Sequence, residues 1–332
     1  MAQTRTTGLA LGVLSAVSFG ASGPCAKALT DSGFTPLQAV WIRVLGTVVV
    51  LAPAALLLRR RVIISSLRGN AWSVFMYALT AVALCQALYF VAASRLPVSI
   101  AILVEFTGPV LVVGWLGLVR RRHVPRTAYI GVATAVVGLL AVVEIWSGLR
   151  LDPVGIAAGL GAACGSASYF LLVERLAGRV DPLVLSSSGM LVGAVLLLPF
   201  AVPWHAPWHL IAGDVPVGVH KVPGWALIAV LVIVSTVIGY VAGAGAIQRL
   251  SAPVACGVAY IEAVSASVFA WIGLGQRLGA AQICGGVIVL LGAYIAQRSV
   301  AEPGFVPEPE PLVLPAASSD ADSAASSRSR AA

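Results

Sequence analysis

Charge is what this 332-residue sequence has least of: Asp, Glu, Lys and Arg together make up 10% of it. Soluble domains carry about 25%. Hydrophobic residues reach 59%, and the mean hydropathy is +0.96. So few charges cannot cover the surface of a water-soluble body this size, and that class is excluded. Histidine is scarce, with four residues, and the five cysteines (Cys25, Cys85, Cys164, Cys256, Cys284) form no C-x-x-C pair. A metal centre and a disulfide framework are unsupported, no cofactor is implied, and the cysteines read as small packing residues. The sequence also lacks the ligand cluster or charged catalytic domain that an intramembrane enzyme needs. What remains is a polytopic membrane protein. Its apolar runs are long and do not alternate, which selects helices over a barrel.

Ten runs approach the roughly 20 residues of a spanning helix. They lie near 8–29, 37–58, 71–94, 97–119, 127–146, 153–173, 182–203, 224–247, 252–275 and 278–297; half hold no charge and the others one each. The expected fold class is all-α integral membrane, with ten transmembrane helices. Arg5 ahead of the first run and Ala21-Ser22-Gly23 within it suit a signal peptide. The run stays apolar to Ala26, however, and has a repeat partner, so it reads as a span. Short connections hold turn chemistry, as in Thr30-Asp31-Ser32-Gly33 and Asp181-Pro182. The longest, 204–223, carries Trp204, His205, Trp208 and His209 and reads as an interfacial loop or short helix. From 301 to 332, Pro/Glu repeats and then Ser, Ala and Asp predict a disordered cytoplasmic tail.

The net charge of +8 is a topology signal and not a nucleic-acid surface. Arg5, Arg59, Arg60, Arg61, Arg68, Arg120, Arg121, Arg122, Arg126, Arg175, Arg179, Arg249 and Arg298 fall on one side, thirteen in all. Arg95, Arg150, Lys221 and Arg277 fall on the other. The positive-inside rule then puts both termini in the cytoplasm of a cell carrying the chain in its plasma membrane. The lipid bilayer and a small-molecule substrate are the expected partners; monomer and homodimer both stay open.

The two halves resemble each other. Trp115-Leu116-Gly117-Leu118 recurs as Trp271-Ile272-Gly273-Leu274, Gly131 and Gly138 as Gly285 and Gly292, and Arg95-Leu96 as Arg249-Leu250. Pro53 recurs as Pro199 and Gly12 as Gly159. Each half, 8–146 and 153–298, holds five spans, an odd number, so the halves enter the membrane in opposite senses. Two five-helix inverted repeats are an architecture of transporters, with substrate bound near the midplane.

A charge at mid-bilayer costs roughly 2.5–3.5 kcal/mol on insertion scales, so the deep ones are informative. Glu105 precedes Thr107-Gly108-Pro109, where the missing N–H of Pro109 predicts a helix break. Glu262, beside Tyr260, holds almost the repeat-equivalent place. Two carboxyls in mirrored spans can share a proton or a substrate ammonium. Arg43 can pair with Glu105, clamp a substrate carboxylate, or snorkel to headgroups. Lys27 reads as a snorkelling residue. Trp41, Gln86, Tyr89 and Tyr169 are further candidates to line a cavity, as is Tyr240, against a packing role for each aromatic. Gly20-Ala21-Ser22-Gly23-Pro24 is a second hinge candidate through Gly23 and Pro24.

These features resemble the drug/metabolite transporter superfamily with two EamA domains. The segment Glu105-Phe106-Thr107-Gly108-Pro109 resembles the EFTGP segment of threonine/homoserine-type amino-acid exporters, and Gly20–Lys27, Arg43–Thr47 and Gly161–Tyr169 fit that subgroup. The resemblance implies proton-coupled export of small amino acids or related metabolites, with Glu105 and Glu262 at the central cavity. Two positions depart from the family. Ala263 stands where Pro is common, which predicts a straighter ninth span, and Gly275-Gln276 stands where Gly-Glu is common. The alternative is an uncoupled facilitator of the same fold with a non-amino-acid substrate, such as a drug, sugar or nucleotide-linked solute. A channel is disfavoured by the duplicated halves.

Overall fold

Interior and exterior are exchanged relative to a water-soluble protein. Leu57 (84% exposed), Phe200 and Ile272 point outward, whereas alanines, serines and the guanidinium of Arg43 are inside. That is the distribution for helices whose large apolar side chains meet lipid and whose small ones meet each other. The computed structural model describes residues 2–108, 110–111, 115, 125–143, 151–176, 179–247 and 258–300. Residues 1–301 cluster as one unit. The expected tail lies outside the described residues.

The chain is predominantly helical. α1 (Ala2–Gly20) and α2 (Ser22–Asp31) are separated by a break at Ala21. Pro24 has no N–H for the Gly20 carbonyl, which accounts for the break. α3 (Pro36–Arg68) starts on a capping box: Thr35 Oγ1 accepts from the Gln38 N–H at 3.2 Å, and Gln38 Oε1 accepts from the Thr35 N–H at 3.0 Å. α4 (Ala71–Tyr77) runs through a π-helical stretch, Ala78–Leu84, into α5 (Cys85–Arg95). α6 (Val98–Glu105) follows, then α7 (Arg126–Val143), α8 (Pro153–Leu176) and α9 (Pro182–Ala201). Two of these start on Asp-Pro: Asp152 Oδ1 accepts from the Val154 N–H at 2.8 Å, and Asp181 Oδ1 from the Leu183 N–H at 2.9 Å.

The connection 204–223, expected to be a loop or short helix, contains a β-hairpin: β1 (Asp214–Val217) pairs antiparallel with β2 (His220–Pro223), after the single turn α10 (His209–Ala212). Gly218 supplies the positive φ of the turn, 60°. α11 (Gly224–Ala229) runs through a second π-helical stretch, Val230–Ile238, into α12 (Gly239–Ile247). α13 (Ile261–Leu274) and α14 (Ala280–Val300) close the order.

Among the described residues, five helices are long and apolar enough to cross a membrane: Thr6–Asp31, Pro36–Leu58, Ala71–Arg95, Leu183–Ala201 and Gly224–Gly243. Arg126–Val142, Ile261–Leu274 and Ala280–Ile295 are shorter apolar helices. α7 lies along α14 and α3 along α9; α1 packs on α12 and α13, and α8 on α5 and α6.

Candidate functional site

Arg43 is the centre of the buried polar network. It is 3% exposed, about a quarter of the way along α3. Its Nε donates to Thr236 Oγ1 at 2.8 Å, and its Nη1 donates to Gln86 Oε1 at 2.7 Å. The guanidinium carbon stands 5.7 Å from the centroid of the Phe90 ring. Thr236 sits inside the second π-helical stretch, and its hydroxyl donates to the Leu231 carbonyl, five residues back, at 2.8 Å. Single π-turns place side chains where a regular helix would not. Tyr240, one turn on, approaches the Gln86 amide and packs edge-on to Phe19 at 5.1 Å.

A direct pairing of Arg43 with Glu105, one of the three readings of this guanidinium, is not formed. Among the described residues no carboxylate lies within 4.0 Å of the guanidinium, because neutral acceptors hold it instead. Glu105 and Glu262 both lie close enough to interact electrostatically with Arg43, and Glu262 with Glu105. Cys85 Sγ lies 3.6 Å from Glu105 Oε1 and 3.4 Å from the Ala162 carbonyl, joining α5, α6 and α8 at one thiol.

Each glutamate flanks a helix break. Glu105 is the last residue of α6, and Phe106-Thr107 turns before helix resumes at Gly108. Pro109, expected to cause this break, lies outside the described residues. Glu262 is in the first turn of α13, after a turn at Tyr260. The straighter span predicted from Ala263 is therefore not found; the helix breaks at Tyr260 with no proline at 263. The two breaks meet, with the Phe106 and Tyr260 rings 5.5 Å apart at 51°. A third break joins them: at Gly20 a Cβ would strike the Ser265 hydroxyl, one turn from Glu262.

Other candidates sort by position. The Tyr89 hydroxyl lies against Gly23 and within electrostatic range of Glu105, Glu262 and Arg43. Among the described residues, it and the hydroxyls of Ser22 and Ser235 are buried without a hydrogen-bond partner. Gly108 allows close approach to α8, since a Cβ there would sit 3.1 Å from the Ala163 carbonyl. Trp41 is apart from the cluster and donates its indole N–H to the Ala194 carbonyl of α9 at 3.1 Å. The Tyr169 ring lies 6.0 Å from that of Tyr77, tilted at 42° to it. Lys27 pairs with Asp31 at 3.2 Å and donates to the Ser94 carbonyl at 3.0 Å. Thr236 escaped the sequence reading, in which Cys85 is a packing residue; Ser235-Thr236 as a polar pair inside an apolar run was the available signal.

The profile of the EamA-like transporter family matches residues 6–144 and again residues 153–297. The chain belongs to this family. The chain is also similar to the uncharacterized transporter YwfM of Bacillus subtilis (strain 168), 23% identical over 226 residues, which span 68% of this chain and 73% of that protein. A crystal structure with 18% identity shares the fold at a TM-score of 0.57, over 89% of this chain and 97% of the other. Together with the apolar helices, membership makes this chain a multi-pass membrane transporter.

Proposed function

We propose that this transporter exports small amino acids or related zwitterionic metabolites across the plasma membrane, coupled to protons, by alternating access. One observation carries the reading: a buried guanidinium that, among the described residues, is held by neutral acceptors, next to two carboxyls at touching helix breaks. An α-ammonium suits Glu105 and Glu262, and a carboxylate suits Arg43, which can offer N–H groups beyond those already engaged. The same glutamates can hold the coupling proton when no ammonium is present. Tyr89, Gln86 and Tyr260 border this cluster; Tyr169 acts at its periphery, and Trp41, apart from it, ties the second span to the seventh. Gly23-Pro24 and Gly108-Pro109 serve as hinges.

The architecture behind the reading is ten spans in two inverted five-helix repeats, 8–146 and 153–298, with both termini and the 301–332 tail cytoplasmic. Several paired features support it. π-helical stretches occur in the third and eighth spans, breaks in the fourth and ninth, and internal prolines in the second and seventh. The packing pairs also exchange consistently when one half is swapped for the other.

The test is flux into proteoliposomes under an imposed pH gradient, with Glu105→Gln beside the parent. The variant should fold and lose pH-dependent export of amino acids. Proton-driven flux at the parental rate in Glu105→Gln sinks the coupling role. Cells overexpressing the protein should resist toxic amino-acid analogues; resistance confined to dyes or drugs would favour the uncoupled facilitator.

A further inference from the structure

Helix α6 begins without a cap of its own. Its N-cap residue is Pro97, which has no side-chain acceptor, and the Val98 N–H would be an orphan. The acceptor comes from far along the chain: Gln276 Oε1 takes the Val98 N–H at 2.9 Å. Gln276 is itself fixed. Gly275 ends α13 in the left-handed conformation, φ 69°, and turns the chain so that the Gln276 N–H returns to the Ala270 carbonyl at 3.2 Å. One carboxamide thus ties the start of α6 to the end of α13. These are the two helices that carry Glu105 and Glu262 at their other ends, and Val98 lies about 10 Å along α6 from Glu105.

Two more contacts lie at or beside these helix ends, the second of them linking the halves. The hairpin turn sits on the end of α13, where a Cβ on Gly218 would strike the Gly273 carbonyl. Arg95 at the end of α5 pairs with Asp152 at the start of α8 at 2.8 Å.

We propose that Gln276 is a positioning residue: a latch that holds α6 and α13 together at the external end, and that must let go for the site to open to that side. The external placement rests on the orientation given under Proposed function. The latch works through a neutral hydrogen bond at a helix N-terminus. A carboxylate there accepts the same N–H more strongly and meets the helix dipole favourably, whereas alanine removes the acceptor. Gln276→Glu therefore tightens the latch and Gln276→Ala loosens it.

The experiment uses the full chain with Ser99→Cys, a site 1% exposed in the first turn of α6. Whole cells are treated with a membrane-impermeant maleimide, and modification at position 99 is followed by peptide mass spectrometry, which separates it from the native cysteines. Gln276→Ala should raise the labelling rate roughly tenfold, the range expected for a lost N-cap. Gln276→Glu should hold it at or below the parental rate. An unchanged rate in Gln276→Ala, or equal increases in both variants, overturns the latch. Labelling that appears only in inside-out vesicles overturns its external placement. No substrate enters this measurement, so the latch and the amino-acid reading fail separately.

Discussion

A single guanidinium decides more about this protein than any other side chain. Arg43 is buried, and among the described residues its hydrogen-bond partners are an amide and a hydroxyl on two other helices. Removing either leaves part of a buried cation unsatisfied, a cost of about 1–3 kcal/mol. Thr236→Val and Gln86→Leu should each lower the thermal midpoint of the detergent-solubilised protein. Under the proposed binding mode they should also raise KM more than they lower kcat. Parental KM in both variants would show that the guanidinium does not touch substrate. Thr236→Ser, which keeps the hydroxyl, should restore both readouts. Arg43 was legible in the sequence because charge in an apolar run is costly. Its partners were not, because a threonine in such a run has many bland explanations.

At the scale of elements, packing of α7 on α14 depends on glycine. A Cβ on Gly138 would come 2.5 Å from the Val289 nitrogen and 2.8 Å from the Gly285 carbonyl; one on Gly292 would come 2.7 Å from the Gly131 carbonyl. Gly131 therefore faces Gly292 as Gly138 faces Gly285, an antiparallel pairing. Added methyls push backbone from backbone, at about 1–3 kcal/mol each. Gly138→Ala and Gly285→Ala should both lower the thermal midpoint, and the pair should be less than additive because they relieve one another. Gly69 has nothing within 4 Å of an added Cβ, so Gly69→Ala is the control, expected within about 0.5 kcal/mol of the parent. The spacing of seven between these glycines was visible in the sequence. That the two pairs face each other was not, since helix partners are chosen by three-dimensional fit. The hairpin at 214–223 was missed for a related reason. Four-residue strands containing Pro216 and Pro223 carry almost no alternation, and the second strand is held by its neighbour.

For the whole molecule, the contact between Arg95 and Asp152 shows how its halves are joined at partly exposed helix ends. The Arg95 guanidinium, and then the Val154 N–H, hold the Asp152 carboxyl below the usual carboxylate range. A depressed folded-state value stabilises above the unfolded value of about 3.9 and is lost as pH falls through the folded one. The pair is exposed, so its effect is small. Asp152→Asn should lower the thermal midpoint slightly at pH 7, and the gap from the parent should close on acidification toward pH 3. A gap that widens in acid would contradict that origin.

The sequence by itself determined the solvent, the helical class, the duplication and the deep charges. Each of these follows from composition or periodicity, which act residue by residue along the chain. The tertiary structure decided which helices touch, where they break, and that the breaks at Phe106 and Tyr260 meet. It also gave Arg43 two neutral hydrogen bonds where an ion pair was one of three readings, and capped α6 with Gln276 from the far half. The physical reason is common to all of these. Desolvation makes a buried charge legible anywhere in an apolar run, but which acceptor satisfies it depends on close packing between segments that the chain order keeps far apart.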